Sequence, residues 1–197
     1  WAALLLAGLL ACGPDKPSEP PRPPVKPDPR PLVDEAELPE AVQTGKGLYD
    51  KYCALCHGEA GVGYAADHAN ALANDTFLAT ADNGFLWAAI DRGRPGTPMA
   101  AYGARFGGPL SNDDIRHLLV YLRSLQRTPV VELDPGPVRG DPENGRAIYA
   151  KRCVGCHGPE GQGNTALSLS NPLFLATASD AYVRYAIEKG RPGTPMP

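Results

Sequence analysis

The chain repeats itself, and the repeat limits what it can fold into. Gly45, Tyr49, Lys51, Cys53, Cys56, His57, Gly58, Gly61 and Gly63 recur 100 positions later as Gly145, Tyr149, Lys151, Cys153, Cys156, His157, Gly158, Gly161 and Gly163. Further on, Phe77-Leu-Ala-Thr80 recurs as Phe174-Leu-Ala-Thr177, and Ala89-Ile90 as Ala186-Ile187. Gly93-Arg-Pro-Gly-Thr-Pro-Met99 recurs as Gly190-Arg-Pro-Gly-Thr-Pro-Met196, now 97 positions away. One module is therefore built twice, with a loop three residues shorter in the second copy. At 197 residues the chain has room for two small domains. The duplication assigns them to residues 41–128 and 140–197, joined by a linker over 129–139 that contains Pro129, Pro135 and Pro137.

The expected fold class is all-α, each module having three short helices joined by long Gly/Pro loops. The first helix carries Gly45, Leu48 and Tyr49 and runs into the Cys pair; in the second copy Asp141 is its N-cap, with Pro142 at the first helical position. The second helix places Leu86, Ala89 and Ile90 on one face and stops at Gly93. The third opens on Ser111-Asn-Asp-Asp114 and carries the stripe Ile115, Leu118, Leu119, Leu122, Leu125. The second copy reaches Pro197 before any third helix. The expectation is that module two is truncated, that Tyr149 is more exposed than Tyr49, and that the natural protein continues for roughly 25–35 residues to close a small core.

Four of the five cysteines lie in the units Cys53-Ala-Leu-Cys56-His57 and Cys153-Val-Gly-Cys156-His157. This is the spacing of a c-type haem attachment site. Two thiols add across the two vinyl groups of a porphyrin, and the adjacent imidazole meets the iron from the same side. Three alternatives use the same residues. A zinc site would need a second Cys pair in each module, which is missing. A thioredoxin-like pair needs a βαβ setting, and neither module has parallel-strand patterning. Plain disulfides leave the following His unexplained. The chain has just two methionines, Met99 and Met196, in the two copies of one Gly/Pro-rich loop. A stiff loop of that kind suits a thioether presented to a metal, and sulfur opposite imidazole favours electron transfer over oxygen chemistry. His68 has no repeat partner and is a weaker alternative to Met99; His117 falls on the polar side of the third helix and is expected to be solvated. Arg94 and Arg191, inside the methionine loops, read equally as partners for haem propionates and as solvated surface.

The first 40 residues differ in kind. Residues 1–11 are apolar and Leu9-Leu10-Ala11-Cys12 has the form of a lipoprotein box, so 1–12 reads as a partial secretory signal ending at a lipidated Cys12. A lipid anchor holds a protein on a membrane surface without crossing it. Ten prolines between Pro14 and Pro39 make 13–40 a disordered tether. At ~3.1 Å per residue it would reach roughly 80 Å. The formal charge of −3 belongs to this tail, which holds four basic and seven acidic residues, while both modules are almost neutral. That excludes an electrostatic footprint for nucleic acid.

At these residues the chain resembles a class I cytochrome c in tandem dihaem form. The resemblance covers 41–128 completely and 140–197 in part. It implies two covalently attached c-type haems, held by Cys53, Cys56, Cys153 and Cys156, with His57 and Met99 as axial iron ligands of one and His157 and Met196 of the other. It also implies that first and last helices cross at Gly45 and Tyr49, against an aromatic such as Tyr121. The function expected is an exported, lipid-anchored electron carrier on the periplasmic side of a bacterial membrane, working between redox protein partners and catalysing no substrate reaction. The alternatives are a cytochrome subunit of a larger oxidoreductase complex, a dihaem peroxidase, and a haem-based sensor. The last two want an open iron position, which two identical methionine loops argue against.

Overall fold

The computed structural model describes residues 32–66 and 68–196. The segment 1–12 with its Cys12, and the tether as far as residue 31, lie outside the described residues. Within them the chain is all-α. Nine α-helices and three short 3-10 turns are joined by loops, and the one β-type pairing is an isolated bridge between Gly103 and Leu110.

Order begins earlier than the proline content suggests. A 3-10 turn at Glu35–Glu37 leads into α1, Leu38–Tyr52, and Leu32 packs on the core, so the last residues of the expected tether are folded. Pro39 is compatible with this because the first helical turn needs no donor from it. Helix α1 buries Ala41, Gly45 and Tyr49, one position per turn. A one-turn helix, α2 (Ala54–His57), carries Cys56 and His57. Helices α3 (Asp75–Thr80) and α4 (Asn83–Arg92) follow, then α5 (Asn112–Ser124). Helix α5 starts on a capping box: Ser111 Oγ accepts from the Asp114 amide at 3.1 Å and Asp114 Oδ2 accepts from the Ser111 amide at 2.8 Å.

The crossing of α1 and α5 closes the first half. A Cβ built at Gly45 would lie 2.0 Å from the carbonyl oxygen of His117 and 2.8 Å from Tyr121 Cβ, so this close approach admits glycine alone. Tyr49 is 0% exposed, and its ring centre lies 5.2 Å from that of Tyr121. His117 is half-buried at this crossing rather than solvated.

The second half repeats the series as α6 (Pro142–Arg152), α7 (Val154–His157), α8 (Pro172–Thr177) and α9 (Asp180–Lys189). Asp141 caps α6 through the amides of Glu143 and Asn144, ahead of Pro142. Among the described residues no helix lies across α6: it buries no residue, a Cβ at Gly145 would meet nothing within 4 Å, and Tyr149 is half-buried where Tyr49 is fully buried. The expected difference between the two tyrosines is therefore present. Helices α3 and α8 are additions to the three helices per module expected from sequence. At six residues each they are too short to display a helical period.

Candidate functional site

Each Cys-x-x-Cys-His unit is one bend of chain. Helix α1 ends at Tyr52; the amide of the next residue, Cys53, still donates to the Tyr49 carbonyl at 2.8 Å, and α2 restarts at Ala54. The Tyr49 hydroxyl, brought round by the first helix, donates to the Gly58 carbonyl at 2.8 Å; Tyr149 does the same to Gly158 at 2.6 Å. A helix, a Cys pair and a His are thereby tied into one unit, twice. The four thiols of Cys53, Cys56, Cys153 and Cys156 form no disulfide. Burial, with a contribution from Cys56, pushes the Cys53 thiol up to about 12. A redox-active thiol of the thioredoxin kind needs the opposite shift. Among the described residues, no three His, Cys, Asp or Glu side chains converge as a metal-ion cluster.

The two histidines are 8% exposed each. Nδ1 of His57 lies 2.9 Å from the Asn70 carbonyl, and Nδ1 of His157 lies 2.9 Å from the Leu167 carbonyl. A carbonyl only accepts, so Nδ1 carries the proton and Nε2 keeps its lone pair free for a metal. Burial, partly offset by the Asn70 hydrogen bond, lowers the His57 pKa and favours this neutral form. The acceptors also locate the loop difference. Gly63 and Gly163, 100 apart, donate to the carbonyls of His57 and His157, whereas Asn70 and Leu167 are 97 apart. The three extra residues of the first copy therefore fall between Gly63 and Asn70, where Tyr64 and His68 have left-handed backbone and are exposed.

The methionine loops are closed rings. Arg94 N donates to the Met99 carbonyl at 2.7 Å, Thr97 Oγ1 donates to the Arg94 carbonyl at 2.7 Å, and Met99 N donates back to Thr97 Oγ1 at 3.2 Å. Arg191, Thr194 and Met196 repeat these three bonds at the same lengths. Gly93 permits the entry: its φ is 65° and a Cβ there would lie 2.5 Å from the Met99 carbonyl oxygen. Both methionines are half-buried. After Met99 the chain returns to the Cys pair: Tyr102 packs edge-on against Tyr52 at 6.1 Å, and burial together with the thiols of Cys53 and Cys56 raises its pKa.

Three features had no clear sequence signal. Asp91, 0% exposed, is clasped by the side chain of Arg105 and sits against Gly103, fixing the segment beyond Met99; its repeat partner is Glu188, so the duplication does not flag it. Arg123 holds the turn between α3 and α4 through the carbonyls of Leu78 and Ala81 and Oδ1 of Asn83. Arg94 is not solvated surface: its guanidinium lies 5.1 Å from the Phe85 ring and 6.0 Å from the Phe174 ring, and its Nη1 is buried with no hydrogen-bond partner among the described residues. Burial lowers its pKa. An orphaned buried guanidinium nitrogen fits a group that brings its own carboxylates.

The family described as subunit III of cbb3-type cytochrome c oxidase matches residues 40–122 and 140–197, one stretch on each half. The chain belongs to this family. It is accordingly a cytochrome c, a family in which haem c is bound covalently. Among curated relatives it is similar to the cbb3-type cytochrome c oxidase subunit CcoP of Azospirillum sp. (strain B510). That relative is 31% identical over 136 residues, 64% of this chain and 42% of the relative. The subunit FixP of Azorhizobium caulinodans is 31% identical over 182 residues, 83% of this chain and 56% of the relative. The chain thus spans about half the length of these family members. Among solved structures, cytochrome cL of Methylophaga aminisulfidivorans overlaps 48% of this chain and 57% of its own at 26% identity, with a TM-score of 0.38. Among the described residues, no helix is long and apolar enough to cross a membrane.

Proposed function

We propose that residues 41–128 and 140–197 are two haem domains joined by 129–139, and that together they relay single electrons within a cbb3-type oxidase complex. The observation that carries this reading is a duplicated pair of devices. Each half has an imidazole pinned through Nδ1 to a backbone carbonyl and a methionine presented by a closed ring. Cys53 and Cys56 would hold one haem through thioethers, with His57 Nε2 and Met99 sulfur available to its iron; Cys153, Cys156, His157 and Met196 would hold the other. When bound, the haem supplies an iron that gains or loses one electron, with no substrate bond made or broken. The chain's own residues do the rest. The carbonyls of Asn70 and Leu167 orient the imidazoles, the rings keep thioether sulfur in place of water, and Arg94 and Arg191 offer positive charge to the haem propionates.

A place inside a complex is favoured over a free shuttle because the curated relatives are named as oxidase subunits. Two equivalent methionine rings speak against the open iron position that a peroxidase or a sensor uses. The lipobox at Leu9–Cys12 and the proline-rich segment after it support an exported protein anchored by lipid at Cys12, its haem domains on the periplasmic side.

Purification of the natural protein from its membrane tests the reading. Mass spectrometry should find two haem additions, on the peptides containing Cys53/Cys56 and Cys153/Cys156, and oxidase subunits should co-purify. Carbon monoxide should not bind the reduced protein. A single haem addition, or isolation free of any oxidase subunit, would refute the corresponding part.

A further inference from the structure

The halves touch through reciprocal contacts. Asn171 Nδ2 donates to the Pro95 carbonyl at 2.8 Å, and Asn74 Nδ2 donates to the Pro192 carbonyl at 2.9 Å. Asn74 and Asn171 are repeat partners, 97 apart, and so are Pro95 and Pro192. The arginines follow the same rule. Arg94 faces Phe85 of its own half and Phe174 of the other; Arg191 faces Tyr182 of its own half, at 5.3 Å, and Phe77 of the other, at 5.9 Å. This is the pattern of a two-fold, self-complementary interface, here made within one chain. Its polar contacts end on the methionine loops, since Pro95 follows Arg94 in the ring closed at Met99.

The asparagines use both ends of the side chain. Oδ1 of Asn171 caps α8, accepting from the amides of Leu173 and Phe174 at 3.1 Å each, while its amide nitrogen crosses to the other half. Oδ1 of Asn74 caps α3 through Phe77 N at 3.1 Å. Capping alone does not demand asparagine: at the next helix the equivalent caps are Asp82 and Ser179. Only the cross-half bond needs a donor as well as an acceptor at this position.

We propose that each half positions the methionine ligand of the other: Asn171 holds the Met99 loop and Asn74 holds the Met196 loop. This rests on the axial roles proposed above for the two methionines. The two methionine loops are then coupled through the interface, and loosening one half would loosen the methionine of its neighbour. The pair is unequal. Asn171 is 4% exposed and its cross-half bond is half-buried, while that of Asn74 is exposed; Thr76 also gives the Met196 loop a second contact, donating to the Gly190 carbonyl at 3.3 Å, and its twin position is Leu173.

Asn171→Asp keeps the cap and removes the donor; Asn171→Ser keeps the cap without adding charge and loses the Nδ2 group that reaches across to Pro95. Each is made in the haem-loaded chain and in the same chain carrying Met196→Ala, where the sulfur-to-iron absorption band reports Met99 alone. The expected result is a crossed phenotype. Asn171→Asp and Asn171→Ser weaken the Met99 band and make that iron a second carbon monoxide site, loss of the sulfur being favoured roughly 10-fold, as for a hydrogen bond left unmade. The Met196 band, read in the Met99→Ala chain, stays unchanged. Asn74→Asp acts on Met196, and more weakly. An effect on the iron of its own half, an equal effect on both, or none on either overturns the proposal. Met99→Ala in the otherwise natural chain separates the two ideas: if it opens no iron, the axial reading itself has failed.

Discussion

His57 and His157 are set by atoms too far along the chain to be read by eye. Each needs a carbonyl at Nδ1, and the carbonyl comes from Asn70 in one copy and Leu167 in the other, residues with nothing in common except their place in the repeat. A backbone acceptor leaves no side-chain signature, so the proposed ligand is legible in the sequence and its orienter is not. Replacing Met99 by Ala should open one iron, lower its potential and create one carbon monoxide site, with the other haem nearly unchanged; visible spectra under carbon monoxide and a potentiometric titration would record it. Tyr49→Phe leaves the Gly58 carbonyl without its hydroxyl donor inside the core, at a cost of roughly 1–2 kcal/mol in chemical denaturation. Tyr149→Phe should cost less, because water reaches the half-buried twin.

Among the elements, α1 and α6 carry the same signature and meet different surroundings. Gly45 lies against the backbone of α5, while Gly145 faces open space. The same substitution should therefore change sign between them. Gly45→Ala forces the α1–α5 crossing apart and should destabilise by about 2–3 kcal/mol, the scale of other overpacked sites. In the 197-residue chain, Gly145→Ala should stabilise α6 by about 0.5–1 kcal/mol through helix propensity. Thermal denaturation of the two variants decides it. Helices with a long apolar stripe or a strong cap were legible beforehand: α5 from Ser111 and Ile115 to Leu122, α4 from Leu86 to its stop at Gly93, α6 from Asp141 and Pro142. Helices α3 and α8 were not, although Phe77-Leu-Ala-Thr80 and Phe174-Leu-Ala-Thr177 stood out as repeats. Extending that comparison three residues backward reaches Asn74 and Asn171, which cap them.

For the whole molecule, Phe85 is the residue on which the halves turn. Its ring centre lies 6.4 Å from Phe77 in its own half, and 6.1 Å from Phe174 and 5.1 Å from Tyr182 in the other. Phe85→Ala should cost about 3–5 kcal/mol, as for other large aromatic truncations. Part of that loss should appear as faster proteolytic cleavage within residues 129–139. No periodicity foretells such an interface, because contacts between repeats depend on how two copies of a surface meet rather than on either one. The reciprocal contacts have a consequence of another kind. Two separate copies of one cytochrome could meet about this axis only as concentration allowed, and every change would fall on both sides at once. Fused through residues 129–139, the partners are permanently at high local concentration, and each side can change alone. Phe85 already faces Tyr182 and Thr76 corresponds to Leu173. On the proposed reading, two irons that began as equals can in this way acquire different potentials, and a difference in potential is what gives an electron relay its direction.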